Sequence, residues 1–135
     1  MAVEVLLVNL FRSLELAQQP EVAGYLVRHL QGVLVVLTED REEARAIGTD
    51  WLRSYLALPN YANNLLRSGF TEDDVRSVSD RLFDAIIAWG DEEAVRTRVH
   101  EHLAAGADHV CVQVITADPQ EFPREHWRRL AKALL

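Results

Sequence analysis

Three histidines, His100, His102 and His109, are the first residues whose type could do chemistry, because imidazole is the commonest metal ligand. Their spacing argues against that use. His100 and His102 fall in a segment that reads as helix, where residues two apart point about 200° away from each other. A chelating pair on a helix needs a spacing of three or four. They read instead as helix-flank imidazoles near a C-terminus, where partial positive charge is favourable, and no metal site is expected. The carboxylates group as Glu39-Asp40, Glu72-Asp73-Asp74 and Asp91-Glu92-Glu93. Each group opens a predicted helix, so capping accounts for each. Only Glu39-Asp40 follows a predicted strand, the place in a βα unit where catalytic groups gather. Gly106-Ala107-Asp108 precedes a strand, whereas a dinucleotide-binding glycine loop follows one.

Amides and phenols are what a pocket uses to orient a ligand by hydrogen bonds. The densest such cluster is Asn60, Tyr61, Asn63 and Asn64, and Asn60 and Tyr61 are the candidate substrate-pocket residues. The alternative is a surface loop, since asparagine favours turns. Gln113 is the candidate cofactor contact. It stands in an apolar run from His109 to Ile115, sharing one strand face with Cys111 and Ile115 while Val110, Val112 and Val114 share the other. A buried amide costs about 1–3 kcal/mol if unpaired, so Gln113 must bond a side chain, a water or a ligand. Cys111 is the single cysteine, which excludes an intramolecular disulfide, and it reads as a small core residue.

The elements that would position these residues follow from periodicity and punctuation. Gly32 reads as the left-handed cap of a helix over Glu21–Leu30. Val33 to Leu37 has the composition of a strand buried on both faces. Asp40 with Glu43 predicts an acidic capping box. The helix after it carries Ala44, Ile47, Trp51, Tyr55 and Leu58 on one face, and Pro59 stops it. Residues 59–64 read as turn, followed by a short helical turn to Gly69. Thr71 with Asp74, and Ser79-Asp80, open two more helices, the second with Leu82, Phe83, Ile86 and Ile87 inside. Trp89-Gly90-Asp91 breaks it, and Asp91 caps a helix with Val95, Val99 and Leu103 on its inner stripe. Gly106 ends that helix. The last helix starts near Pro123 and buries Trp127, Leu130, Ala131 and Leu134. Val3 to Val8 could be strand or helix.

Strands buried on both faces and joined by helices predict a parallel α/β fold. An eight-stranded βα-barrel needs roughly 250 residues. With 135 residues and two or three strand candidates, the chain can form about half a barrel or a small open sheet.

Apolar residues make up 49% of the chain and charged residues 26%, the composition of a packed domain. The net charge of -7 and the lack of a basic stripe exclude the usual nucleic-acid binder. Arg124, Arg128, Arg129 and Lys132 are interleaved with Glu121 and Glu125, as on a solvated helix face. The apolar run Val5 to Val8 is too short for a signal peptide or a membrane span, so a cytoplasmic protein is expected.

Five segments stand in a familiar order: Tyr55-Leu56-Ala57-Leu58-Pro59-Asn60-Tyr61; Ser68-Gly69-Phe70-Thr71-Glu72-Asp73-Asp74; Ser79-Asp80-Arg81-Leu82 with Ala88-Trp89-Gly90-Asp91; Ala104-Ala105-Gly106-Ala107-Asp108-His109-Val110; and Trp127-Arg128-Arg129-Leu130-Ala131. Together they resemble the C-terminal part of luciferase-like monooxygenases, nearest to the actinobacterial oxidoreductases that use the deazaflavin coenzyme F420. The resemblance covers residues 33–135, and residues 1–32 form an N-terminal segment without a clear match. It implies a helix-rich, partial (βα) TIM-barrel-like unit, the C-terminal half of a luciferase-like barrel. It also implies hydride transfer between a reduced coenzyme, F420 or FMN, and a small organic substrate. The family draws most of its cofactor site from the N-terminal half of the barrel. The expected partners are therefore a second copy of the chain, as a homo-oligomer, or a separate N-terminal half. Two other expectations stand beside this one: a non-catalytic oligomerising or binding module derived from the barrel, and a natural protein that starts upstream of Met1.

Overall fold

The structure, a computed structural model, describes residues 30–135. The strand-or-helix candidate at Val3–Val8 lies outside those residues. So does the helix expected over Glu21–Leu30, except for Leu30, which opens a strand.

The elements run β1 (Leu30–Val36), α1 (Arg41–Leu56), α2 (Pro59–Arg67), α3 (Glu72–Ser77), α4 (Asp80–Ile86), β2 (Ile87–Trp89), α5 (Glu92–Ala104), β3 (His109–Val114) and α6 (Arg124–Leu134). The fold is mixed α/β and helix-rich. Among the described residues three strands form a parallel sheet in the order β2-β1-β3. Leu34 to Val36 pair with Ile87 to Trp89 on one side, and Leu30 to Val35 pair with His109 to Val114 on the other.

The central strand is the apolar run read from the sequence, and it feeds two cores because its side chains alternate. Leu34 and Val36 join Ala44 and Leu52 of α1, Leu82, Phe83 and Ile86 of α4, Leu65, Val78, Ile87 and Ile115 in the first core. Val33, Val35 and Leu37 join Ala88, Val95 of α5 and Leu130 of α6 in the second, with Val110, Val112 and Val114 packed against it. Helices therefore cover both faces. The path from β1 to β2 runs one way along the sheet and the path from β2 to β3 runs back. Right-handed crossovers in opposite directions place their helices on opposite faces. Barrel closure would set each strand beside the next in sequence; here β1 lies between β2 and β3.

Several local expectations change, among them Leu103, expected on the inner stripe of α5, and Ala131, expected on the buried face of α6, which are both exposed. Gly32 lies inside β1 rather than capping a helix. Ile87 leaves the helix for β2, because the apolar run from Ile86 to Trp89 suits either state and pairing with β1 decides it. Residues 59–67 form a continuous helix instead of a turn: Pro59 ends α1 and also starts α2, its fixed φ and missing N–H suiting a first helical position. The inner line of α1 runs through Ala44, Gly48 and Leu52, with Ile47, Trp51 and Tyr55 flanking it half-buried and Leu58 exposed.

Other stops form as read. The Thr71–Asp74 capping box is complete. Gly106, at φ 105°, ends α5 with Gly106 N–H on Leu103 O (3.0 Å) and Ala107 N–H on His102 O (3.1 Å), the paired bonds of a left-handed C-terminal cap.

Candidate functional site

In a parallel sheet the C-terminal ends of the strands gather the loops that carry chemistry. The β1 end is a relay of short polar bonds. The Thr38 hydroxyl donates to Glu43 Oε2 (2.6 Å) and accepts the Asp40 N–H (3.2 Å). Asp40 Oδ1 in turn accepts the N–H groups of Glu42 (2.8 Å) and Glu43 (3.2 Å). The acidic capping box is thus half formed, because the Glu43 carboxylate is held by Thr38 instead of the Asp40 N–H. The β2 end turns at Gly90, whose φ of 130° favours glycine, and Asp91 caps α5 by accepting the Ala94 N–H at 2.9 Å. At the β3 end Ile115 N–H donates to Val35 O at 2.8 Å and Thr116 follows. Arg129 of α6 donates to Glu92 at the start of α5, tying the two helices together. That hydrogen bond holds the Glu92 carboxyl down at about 2. Glu39, on the β1 loop, adds to the negative field that raises Arg129.

The second feature is an open cleft of about 420 Å³ beside β2, lined by Arg41, Asp84, Ile87, Ala88, Trp89, Thr97, Arg98 and Glu101 among others. Arg41 opens α1, where a cation works against the helix dipole. Its position is explained by carboxylates from α4: Asp80 Oδ2 at 3.3 Å and Asp84 Oδ2 at 3.7 Å. Its guanidinium also stands 5.4 Å from the Trp89 ring centre, while Trp89 Nε1 donates to Asp84 Oδ1 at 3.1 Å. Arg98 closes the other wall, donating to Asp84 O (2.9 Å) and Ala85 O (3.4 Å) and pairing with Glu101 at 3.5 Å. Each guanidinium in the cleft already has a carboxylate, so the pair balances charge locally more than it attracts an anion. Sequence reading missed Arg41, Asp84 and Arg98. The legible signal was Arg41 itself, a cation in the first turn of a helix.

The sequence-predicted site residues lie apart from this cleft. Asn60 and Tyr61 are adjacent on α2 but point different ways. Asn60 is exposed, whereas Tyr61 is 6% exposed and meets Tyr55 edge-on at 5.3 Å, with Trp51 stacked on Tyr55 at 4.1 Å. Burial, with Tyr55 adding to it, pushes the Tyr61 phenol up. The buried amide of the cluster is Asn64, whose Oδ1 accepts from Arg67 Nη1 at 3.2 Å; Asn63 is exposed. Gln113 and Cys111 are exposed on β3, not buried as the apolar run suggested. The cause is position. β3 is an edge strand among the described residues, and the first-core face is covered at Ile115 and Leu34 but not at Gln113. His100 on α5 and His109 at the start of β3 are exposed and His102 is half-buried. Among the described residues no three His, Cys, Asp or Glu side chains come together as a metal site, and no helix is long and apolar enough to cross a membrane. No family model, curated protein or solved structure matches the chain.

Proposed function

We propose that the chain is the C-terminal part of a luciferase-like oxidoreductase, a partial βα-barrel that passes hydride between coenzyme F420 or FMN and a small organic substrate. The single observation that carries this reading is the order and spacing of the five segments from Tyr55 to Ala131. A parallel α/β sheet with Thr38, Trp89 and Thr116 at the C-terminal ends of its strands supports the α/β part of this reading, while the order β2-β1-β3 is not the sequential order of a closed barrel. The described residues do not by themselves fit the whole coenzyme. The two helices that begin at the rim, α1 and α5, are closed by their own carboxylates, Asp40 and Asp91, which would repel a phosphate-bearing tail. A separate N-terminal half or other residues of the assembly would have to hold that tail.

The experiment is a titration of the full chain with coenzyme F420 and with FMN, followed by coenzyme and tryptophan fluorescence. Saturable binding in the micromolar range is the expected result. Its absence with both coenzymes shifts support to the second reading, a non-catalytic oligomerising module derived from the barrel. A specific observation favours that second reading: the edge of β3 that no strand among the described residues covers.

A further inference from the structure

We infer that the edge of β3 that no described strand pairs with is a self-association surface, on which a second copy of this chain adds its own β3 antiparallel across a twofold axis. The inference does not rest on the oxidoreductase reading. Its starting point is the direction of the peptide groups. Ile115 N–H donates to Val35 O, so the peptide groups of Gln113 and Ile115 face β1. Alternation along a strand then turns those of Val110, Val112 and Val114 outward, where no described strand meets them. Natural edges are blunted by lysine, proline, a bulge or an inward-pointing charge. This one has none of these. From His109 to Ala117 there is no Asp, Glu, Lys or Arg, in a chain that carries 21 acidic and 14 basic residues.

Charge and register select a second copy as the occupant. A twofold centred on Val112 sets Val112 against its own copy and Val110 against Val114, so every outward N–H meets an outward C=O. The same register sets Asp108 opposite Thr116 and Asp118 opposite Gly106, so no like charges meet. The valine faces of the two copies join into one apolar ladder continuous with the second core.

The register gives a direct test in the full chain. It places Cys111 opposite Gln113 of the copy in a non-hydrogen-bonded pair, with Cα atoms about 4.5 Å apart, within disulfide range. Gln113 is exposed, so Gln113→Cys leaves the fold intact. Within one strand the two thiols stand about 6.6 Å apart with parallel Cβ vectors, too far to bridge. The expected results are a dimer of the unsubstituted chain by sedimentation velocity, and a dithiothreitol-reversible covalent dimer of Gln113→Cys on mild oxidation. The unsubstituted chain, whose Cys111 is out of register with its copy, stays uncrosslinked. A monomer at micromolar concentrations overturns the proposal. So does a dimer whose Gln113→Cys variant fails to crosslink, or one in which Cys111 alone crosslinks equally well. Concentration-independent protection of the Val112 amide in a monomer would show that another part of the same chain covers the edge, and would overturn it too.

Discussion

Single residues in this fold carry most of its chemistry as restraint. Arg41 sits at a helix start that opposes it and is held there by Asp80 and Asp84. Val78, β-branched and buried, occupies left-handed space at φ 50°, a conformation costly for such a residue. It is held by Arg45 Nη2 on its carbonyl at 2.9 Å and by the turn that returns Ser79 N–H to Asp74 O at 3.0 Å. Two carboxylates make testable restraints of the same kind. Hydrogen bonds from Ser79 and Thr71 hold Asp74 at about 2, below its ordinary 3.8, and Arg129 holds Glu92 at about 2, below its ordinary 4.5. Both are depressed in the folded state. Their contribution is therefore complete above the ordinary carboxylate range and fades as pH falls from there towards 2. Glu92→Gln removes one of them. Its melting temperature should fall less steeply than that of the unsubstituted chain between pH 4.5 and 2, read by far-ultraviolet circular dichroism. Parallel slopes would show that the Glu92–Arg129 bond contributes nothing to the acid limb.

Elements were legible where local pattern and final packing agree. β1 takes Val33 to Val36 from a run of five aliphatic residues, the composition of a strand buried on both faces. Asp40, Thr71, Ser79 and Asp91 marked helix starts, and Gly106 a helix end, because caps are local chemistry. β2 was hidden because three residues of strand have no period of their own and exist only through pairing with β1. α2 was hidden because three asparagines and a proline suggest a turn, although Tyr61, Asn64 and Leu65 already stood at the spacing of one buried helix face. The candidate site was less legible than the fold, since nothing local reveals that Gln113 lies exposed on an edge strand among the described residues. Gly48 is a position that only packing explains. In an exposed helix Gly→Ala would stabilise by about 1 kcal/mol. Here the added methyl would stand 2.5 Å from Phe83 Cε2, in the contact between α1 and α4. Overpacking costs about 1–3 kcal/mol, so Gly48→Ala should lower stability by about 1 kcal/mol net in urea denaturation. In a Phe83→Leu background, where the ring is gone, the same change should become neutral or stabilising. Equal cost in both backgrounds would mean that the glycine is not there for the ring.

At the scale of the whole molecule, one strand sustains both cores. β1 gives Leu34 and Val36 to the first core and Val33 and Val35, with Leu37 just after it, to the second, so neither core can dissolve without baring a face of β1. Leu52 and Leu130 are each 1% exposed and lie in different cores. Truncating either to alanine should cost about 2–5 kcal/mol, a large share of the 5–15 kcal/mol that stabilises an ordinary domain. Shared β1 makes a further demand: damage in one core must be felt in the other. Trp51 on α1 packs against the first core and Trp127 is half-buried on α6, the helix that gives Leu130 to the second, so chains keeping only one of these tryptophans read the two sides separately. Leu130→Ala should move both fluorescence midpoints by the same amount in denaturant, and Leu52→Ala likewise. If Leu130→Ala shifted the Trp127 transition alone, the cores would be independent units. β1 would then be a point of contact between them and not their common frame.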